Sequence, residues 1–264
     1  MSDRIDVHTH AFSPKIVERV VQQLQDHYHI RPKGSGTVED LQSRLKSAGI
    51  DRAIVHSAAT RAAQVMPANN WAVHVEKRAK QLTAFGTIHP DFEDWEQELN
   101  RLQKYGIRGL KLHADMQGFR LDDERLWPIF EAIEHQFIVM FHVGDRVPPE
   151  DNPSSPQKVA RIKHNFPDLT IIAAHFGGFQ HWDYVVDSYK NSDIYIDTSS
   201  SLQEIPQHAL ENIVSALPRE RILFGSDYPL FDPAEEMKHL KKRLKLSDSE
   251  LDELLRNGSQ LLNA

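Results

Sequence analysis

Short apolar runs alternate with longer amphipathic stretches along the chain. Eight of the runs are rich in β-branched residues and bounded by Gly, Pro, Asp or Ser, which is typical of buried parallel strands. We predict strands at residues 5–7, 53–55, 82–88, 107–113, 137–142, 169–175, 194–196 and 222–224. Stretches with a helical period lie between them, at residues 14–28, 38–48, 69–80, 95–105, 123–135, 155–165, 184–190, 204–217, 233–244 and 248–255. Thr37 is the predicted N-cap of the second helix, and Ser247 with Glu250 forms a predicted capping box before the last.

This order of elements predicts the fold class. Strands that alternate with helices form parallel β/α units, and eight such units close a (β/α)8 TIM barrel. The 264 residues fit one such domain, spanning residues 1–264. A doubly wound open sheet is the rival architecture, but no Gly-rich phosphate loop follows the first strand.

Composition narrows the class of protein. The net charge is −7, and the densest basic stretch, residues 238–245, is typical of a solvated helix face, so we expect no nucleic-acid partner. There are no cysteines, which excludes disulfides, thiolate metal sites and cysteine nucleophiles. The first ten residues contain no apolar signal core, and no run approaches the length of a membrane span. We expect a cytoplasmic protein with no membrane partner.

Polar residues that can bind a metal or a proton follow four of the predicted strands. His8 and His10 end the first strand, His142 ends the fifth, His175 ends the sixth, and Asp227 follows the eighth. The C-terminal ends of barrel strands form the active-site face, so these five residues should converge at one mouth. His8 and His10 are two residues apart on a strand and share a face, so both imidazoles can approach one ion. A carboxylate such as Asp227, just past a buried strand, needs a metal or an imidazolium as its partner.

The fourth strand carries two further polar residues on one face, Lys111 and His113. A lysine directed into a barrel needs a carboxylate partner, or it can be carbamylated and bridge two metals; we favour the ion pair. His113 is predicted to face the substrate. Arg61 and Arg146 follow the second and fifth strands and are candidates to bind a substrate carboxylate, although surface arginines are common.

Taken together, these motifs resemble the amidohydrolase superfamily, and most closely its amidohydrolase-related (amidohydrolase 2) branch of metal-dependent TIM-barrel hydrolases. The matching pieces run from residue 5 to residue 264 and read IDVHTH, GLKLH, FHVG, AAHFGG, FGSDYP and NGSQLLNA. The resemblance implies that His8, His10, His142 and Asp227 hold one divalent metal, with Zn²⁺ expected and Mn²⁺, Fe²⁺ or Co²⁺ as alternatives. It also implies that His175 handles protons and that Asp227 accepts one. Lys111 is not counted as a ligand, and a homodimer is an expectation from the family alone.

Three functions are compatible with these residues. The first choice is a metal-dependent hydrolase that activates water for attack on a lactone, amide or ester carbonyl of a small molecule. The alternative is a metal-dependent non-oxidative decarboxylase of an aromatic or unsaturated carboxylic acid. The third, a barrel that binds a metal or metabolite without catalysis, is disfavoured by a proton-transfer histidine beside a full ligand set.

Overall fold

Eight parallel strands form the centre of the protein, whose computed structural model describes residues 3–263. All eight predicted strands are confirmed, although the third to sixth and the eighth are shorter than predicted. Their bounds are β1 Ile5–Thr9, β2 Arg52–Val55, β3 Leu82–Ala84, β4 Gly109–Leu112, β5 Ile138–Phe141, β6 Thr170–Ala173, β7 Tyr195–Asp197 and β8 Ile222–Leu223. Their short, fully buried runs are what a parallel sheet covered by helices requires.

The strands close into a barrel through two narrow seams. Hydrogen bonding is continuous from β1 to β3 and again from β4 to β8. Isolated parallel bridges join the two ladders, Gly86 to Leu110 at one seam and Thr9 to Tyr228 at the other. The structure is therefore a single-domain (β/α)8 barrel, as predicted.

Helices surround the barrel. Their bounds are α1 Val17–Tyr28, α2 Val38–Ala48, α3 Val65–Arg78, α4 Trp95–Lys104, α5 Ala114–Gln117, α6 Trp127–Ile133, α7 Pro156–Asn165, α8 Val185–Tyr189, α9 Gln207–Ala216, α10 Pro233–Arg243 and α11 Asp248–Asn263, with one-turn 3-10 helices at Ala62–Gln64, Glu124–Leu126, Trp182–Tyr184 and Arg219–Arg221. The sequence did not predict α5 or the turns at Ala62–Gln64 and Arg219–Arg221, whereas the turn at Glu124–Leu126 lies within predicted helix 123–135 and the turn at Trp182–Tyr184 meets the start of predicted helix 184–190. It also ended the last helix too early, because α11 continues to Asn263.

Both predicted helix caps are confirmed. The hydroxyl oxygen of Thr37 accepts a hydrogen bond from the Asp40 N–H at 3.2 Å. At the start of α11 the Ser247 hydroxyl accepts from the Glu250 N–H, and the Glu250 carboxylate accepts from the Ser247 N–H at 2.8 Å. These two reciprocal bonds are the capping box that the spacing predicted.

Two apolar clusters stabilise the barrel. The larger fills the space between strands and helices, and the smaller fills the barrel itself, with buried side chains that include Val7, Phe85 and Met140. Packing inside is tight, because a Cβ added at Gly109 would lie 2.3 Å from the Phe85 ring. The rigid interior fixes the strand ends, and with them the side chains of the mouth.

No helix within residues 3–263 has both the length and the apolarity that crossing a bilayer requires.

Candidate metal centre and active site

Three predicted metal ligands meet at the mouth of the barrel. Asp227 Oδ1 lies 3.4 Å from His10 Nε2 and 3.7 Å from His8 Nε2. A cation about 2.1 Å from each of its ligands, in tetrahedral geometry, separates the ligand atoms by about 3.4 Å. The spacing of these three atoms therefore fits one divalent cation.

The other ring nitrogen of each histidine fixes the tautomer that metal binding needs. His8 Nδ1 lies 2.8 Å from Asp197 Oδ2, and His10 Nδ1 lies 3.1 Å from the carbonyl oxygen of His56. Carboxylate and carbonyl oxygens only accept hydrogen bonds, so both Nδ1 atoms carry the proton. The Nε2 lone pairs are then free to bind a cation, which is how metal-binding histidines are normally oriented.

Asp227 is held by its backbone and by a serine. Its φ angle is 63°, in the left-handed region, and its N–H donates to the His8 carbonyl at 2.8 Å. The Ser200 hydroxyl donates to Asp227 Oδ2, which leaves Oδ1 directed at the two histidines. Burial alone would raise the pKa of Asp227, but the imidazoles of His8, His10 and His175 outweigh burial and lower it well below its usual range. The carboxylate is therefore ionised, as a cation ligand must be.

His142 and His175 form a hydrogen-bonded pair at the ends of β5 and β6. His175 Nδ1 lies 3.2 Å from the Ser199 carbonyl oxygen, so this nitrogen is the protonated one. His175 Nε2 consequently accepts from His142 Nδ1 at 2.9 Å, and the lone pair of His142 lies on Nε2. The tautomer suits a ligand, but His142 is not among the residues whose ligand atoms cluster within 4.8 Å around His8, His10 and Asp227. The role of His142 as fourth ligand stays a prediction.

Asp197 at the end of β7 and Ser199 in the loop that follows hydrogen-bond to both His8 and His175. Asp197 Oδ1 accepts from the backbone N–H groups of His175 at 3.1 Å and Ser199 at 2.9 Å, while Oδ2 accepts from His8. The Ser199 hydroxyl oxygen lies 3.0 Å from both His8 Nδ1 and His175 Nδ1. Burial opposes ionisation of Asp197, but His8, His175 and Ser199 lower its pKa far below the usual range. One carboxylate therefore orients residues of two separate strands.

Lys111 differs from the predicted ion pair. Its side chain is buried, and Nζ lies 3.4 Å from His8 Nε2, while no carboxylate of the described residues forms a direct pair with it. Burial lowers the pKa of Lys111 to about 8, against the opposing effect of Asp197 and Asp227. A cation bound by His8 would repel an ammonium group at this distance and favour the neutral amine.

His113 stacks on His142 with ring centroids 3.7 Å apart, so it lies at the mouth as predicted. Its Nε2 lies 3.2 Å from the hydroxyl of Tyr28, at the end of α1. Burial is the main cause that lowers the pKa of His113 well below the usual value, and Lys111 adds to it. The ring is therefore neutral at pH 7.

The two predicted substrate-binding arginines lie at different places on the rim. Arg146 is 71% exposed and pairs with Glu204 at 3.1 Å. Its guanidinium lies 5.9 Å from the centroid of the Phe179 ring, which is 6.4 Å from the His175 ring. Arg61 is exposed on the segment after β2. The geometry places Arg146 one aromatic ring away from His175, and the substrate-binding role of both arginines stays a prediction.

Several residues of the site were not predicted from the sequence. Ser199 and Ser200 lie just past the end of β7, a signal that could have identified them beside Asp197. His56, whose carbonyl orients His10, directly follows β2, so the strand-end rule could have identified it as well. Tyr28 belongs to a helix rather than to a strand end, so the strand-end rule could not find it.

Comparison with known proteins agrees with this architecture. A search of curated proteins found no match. Among solved structures, an uncharacterised TIM-barrel protein from Bordetella bronchiseptica is 18% identical, with a TM-score of 0.77 over 98% of both chains. A dihydroxybenzoic acid decarboxylase from a Polaromonas species, with bound manganese and the inhibitor 2-nitroresorcinol, is 15% identical, with a TM-score of 0.69 over 100% of this chain and 97% of that one. A candidate 2-pyrone-4,6-dicarboxylic acid hydrolase from Pseudomonas putida is 17% identical, with a TM-score of 0.68 over 99% and 97%.

At these identities the solved structures establish the fold alone. The family model described as amidohydrolase, however, matches residues 5–258, nearly the whole chain. This match includes His8, His10, His142, His175 and Asp227, the strand-end residues from which the resemblance was first drawn. The chain belongs to the amidohydrolase family.

Proposed function

We propose that this protein is a divalent-metal-dependent hydrolase that acts on a lactone, amide or ester carbonyl of a small molecule. The observation that carries the proposal is the convergence of His8, His10 and Asp227, with both imidazole lone pairs and one ionised oxygen directed at the same point. Proton-transfer groups lie within the same mouth, as a hydrolytic site requires.

A cation at this point would polarise a substrate carbonyl and make water acidic enough to act as a nucleophile near neutral pH. His8, His10 and Asp227 would hold it, with His142 as the proposed fourth ligand. Imidazole and carboxylate ligands suit zinc, our first choice, and equally manganese, which the Polaromonas decarboxylase binds.

His175 is proposed to move the proton. Burial lowers its pKa, with Asp227 and Asp197 opposing, so the ring is neutral at pH 7. Nε2 can accept a proton from water once it exchanges the hydrogen bond that it accepts from His142 Nδ1. The Ser199 carbonyl keeps the other proton on Nδ1 and so keeps Nε2 directed at the mouth. His175 would take a proton from water and return it to the leaving group. Asp227 is the second proposed acceptor, but its lowered pKa makes it the weaker base.

We propose that His113 and Arg146, which lie near the metal ligands, orient the substrate. His113 lies against His142 and presents a neutral ring to the mouth. Arg146 is the better placed of the two arginines to attract a substrate carboxylate, because its guanidinium and the His175 ring both lie beside the Phe179 ring. To bind a substrate carboxylate, Arg146 would break its ion pair with Glu204 and form one with the substrate.

A second candidate function is non-oxidative decarboxylation, favoured by the full-length similarity to the Polaromonas decarboxylase. In this reaction the bond between the carboxyl carbon and its neighbour breaks, CO₂ leaves, and a proton is delivered to the carbon that lost it. His175 is the proposed proton donor, after it takes up a proton from solvent water on Nε2, and Arg146 or Arg61 would hold substrate anions.

The test begins with the purified chain. Its metal content is measured, and the loaded protein is assayed against a panel of lactones, esters and amides for hydrolysis and against hydroxybenzoic acids for CO₂ release. His10→Ala should lose the bound cation and the turnover, whereas His208→Ala, whose side chain is 70% exposed, should keep both. Full turnover after exhaustive chelation would overturn either reaction.

Binding is followed separately with 2-nitroresorcinol, whose nitrophenol absorbance reports its environment. Lactone hydrolysis without CO₂ release would support the first reaction, and the converse result would select the second.

A further inference from the structure

Tyr28 is a residue of the mouth that belongs to none of the barrel strands. It ends α1 and is partly buried, and its hydroxyl lies 3.2 Å from His113 Nε2. His113 in turn stacks on His142, whose Nδ1 contacts His175. The phenol therefore lies beside the same imidazoles that the proposed reaction uses.

The tautomer of His113 decides what the phenol can do. The Met116 N–H donates to His113 Nδ1 at 3.3 Å, where His113 caps α5. Asp115 Oδ2 is 4.0 Å from this nitrogen, beyond hydrogen-bond distance, so Nδ1 acts as acceptor and the proton lies on Nε2. His113 Nε2–H consequently donates to the Tyr28 oxygen, and the phenolic hydrogen of Tyr28 is left for another acceptor. Within residues 3–263 the side chain finds no such acceptor.

The surroundings keep this phenol protonated and define its ligand. Burial raises the pKa of Tyr28 above its usual value, and the carboxylates of Asp227, Asp115 and Asp145 raise it further. A neutral phenol at pH 7 is a hydrogen-bond donor. Three carboxylates nearby would repel a substrate carboxylate from this point, so the matching group is an uncharged oxygen.

We propose that the Tyr28 hydroxyl donates a hydrogen bond to a hydroxyl or carbonyl oxygen of the substrate, positioned by His113, and that it selects substrates that carry such an oxygen. The inference rests on the proposed function, because it assumes that the substrate binds in this mouth. It adds a substrate class: small molecules with an uncharged oxygen acceptor in addition to the group that reacts.

The test compares two probes on the metal-loaded full chain. The first, 2-nitroresorcinol, has two hydroxyl groups, and the second, 2-nitrophenol, lacks one of them. Wild-type protein should bind 2-nitroresorcinol about 10-fold more tightly, the contribution of one hydrogen bond in a buried site. In Tyr28→Phe, which keeps the aromatic ring and its packing, the ratio of the two dissociation constants should fall to about 1.

The control is Tyr184→Phe, which changes a tyrosine that is 46% exposed and should leave the ratio as in wild type. An unchanged ratio in Tyr28→Phe would refute the inference, as would a wild-type chain that binds neither probe or does not distinguish them. The bound cation is measured in each variant, because Tyr28→Phe should keep it. Failure of the proposed function would instead appear as turnover that survives chelation.

Discussion

Replacing Asp197 with asparagine tests how the metal ligands are oriented. Asp197 Oδ2 fixes the proton on His8 Nδ1 at 2.8 Å, while Oδ1 accepts two backbone N–H groups. In Asp197→Asn the single remaining oxygen can serve one side only, so the new NH₂ group faces the His8 Nδ1–H as a second donor. His8 must then rotate, which misdirects the Nε2 lone pair, or exchange tautomers, which places a proton on Nε2.

The expected effect on metal binding follows from the loss of the carboxylate that accepts the His8 Nδ1–H. Removing the hydrogen-bond partner of a metal-binding histidine weakens metal affinity by about 10- to 100-fold, which corresponds to about 1.4–2.7 kcal/mol. The unpaired donor inside the barrel should also lower the free energy of unfolding of the metal-free chain by about 1–3 kcal/mol.

The assay is competition for Zn²⁺ against a chromophoric chelator at pH 7, together with urea unfolding of the metal-free protein. Asp183→Asn is the matched control, because that side chain is 76% exposed and forms an ion pair with a surface histidine. A folded Asp197→Asn variant with wild-type Zn²⁺ affinity would refute the idea that this carboxylate sets the His8 tautomer.

Three further predictions concern catalysis, packing and pH. His175→Gln should lower kcat by about 10²- to 10⁴-fold with unchanged metal content, and a kcat near wild type would exclude the proton-transfer role. Gly109→Ala should lower the free energy of unfolding in urea by about 1–3 kcal/mol, because the added Cβ meets the buried Phe85 ring at 2.3 Å. Hydrogen bonds from the Ser247 N–H, the Arg219 guanidinium and the Ser247 hydroxyl lower the pKa of Glu250 from 4.5 to about 2. Its carboxylate therefore stabilises the fold above pH 4.5, and this stabilisation is lost as the pH falls toward about 2. The difference in unfolding free energy between wild type and Glu250→Gln should accordingly be present at pH 7 and shrink by pH 3, and a difference independent of pH would contradict the capping-box geometry.

Much of the fold could be predicted because local pattern and global architecture agree. Eight short β-branched runs between amphipathic stretches leave few alternatives to a closed barrel, and a closed barrel brings its strand ends together. The convergence of His8, His10 and Asp227 followed from that rule without any knowledge of distances.

The rest of the site depends on contacts that no local pattern encodes. The tautomers of His10 and His175 are set by the backbone carbonyls of His56 and Ser199. Tyr28 reaches the mouth only because of the way α1 packs. The partner of Lys111 was predicted wrongly for the same reason: the sequence indicates that a buried lysine needs a partner, but not that its ammonium nitrogen contacts an imidazole nitrogen.

His175, Ser200 and Asp227 all adopt left-handed backbone angles, with φ of 63°, 51° and 63°. Such a conformation costs a residue other than glycine about 1 kcal/mol or more. Glycine at any of these positions would relieve the cost and remove the imidazole, hydroxyl or carboxylate. Stability and chemistry therefore favour different residues at these three turns. A lineage released from selection for turnover should drift to glycine there, and its fold should become more stable as the activity is lost.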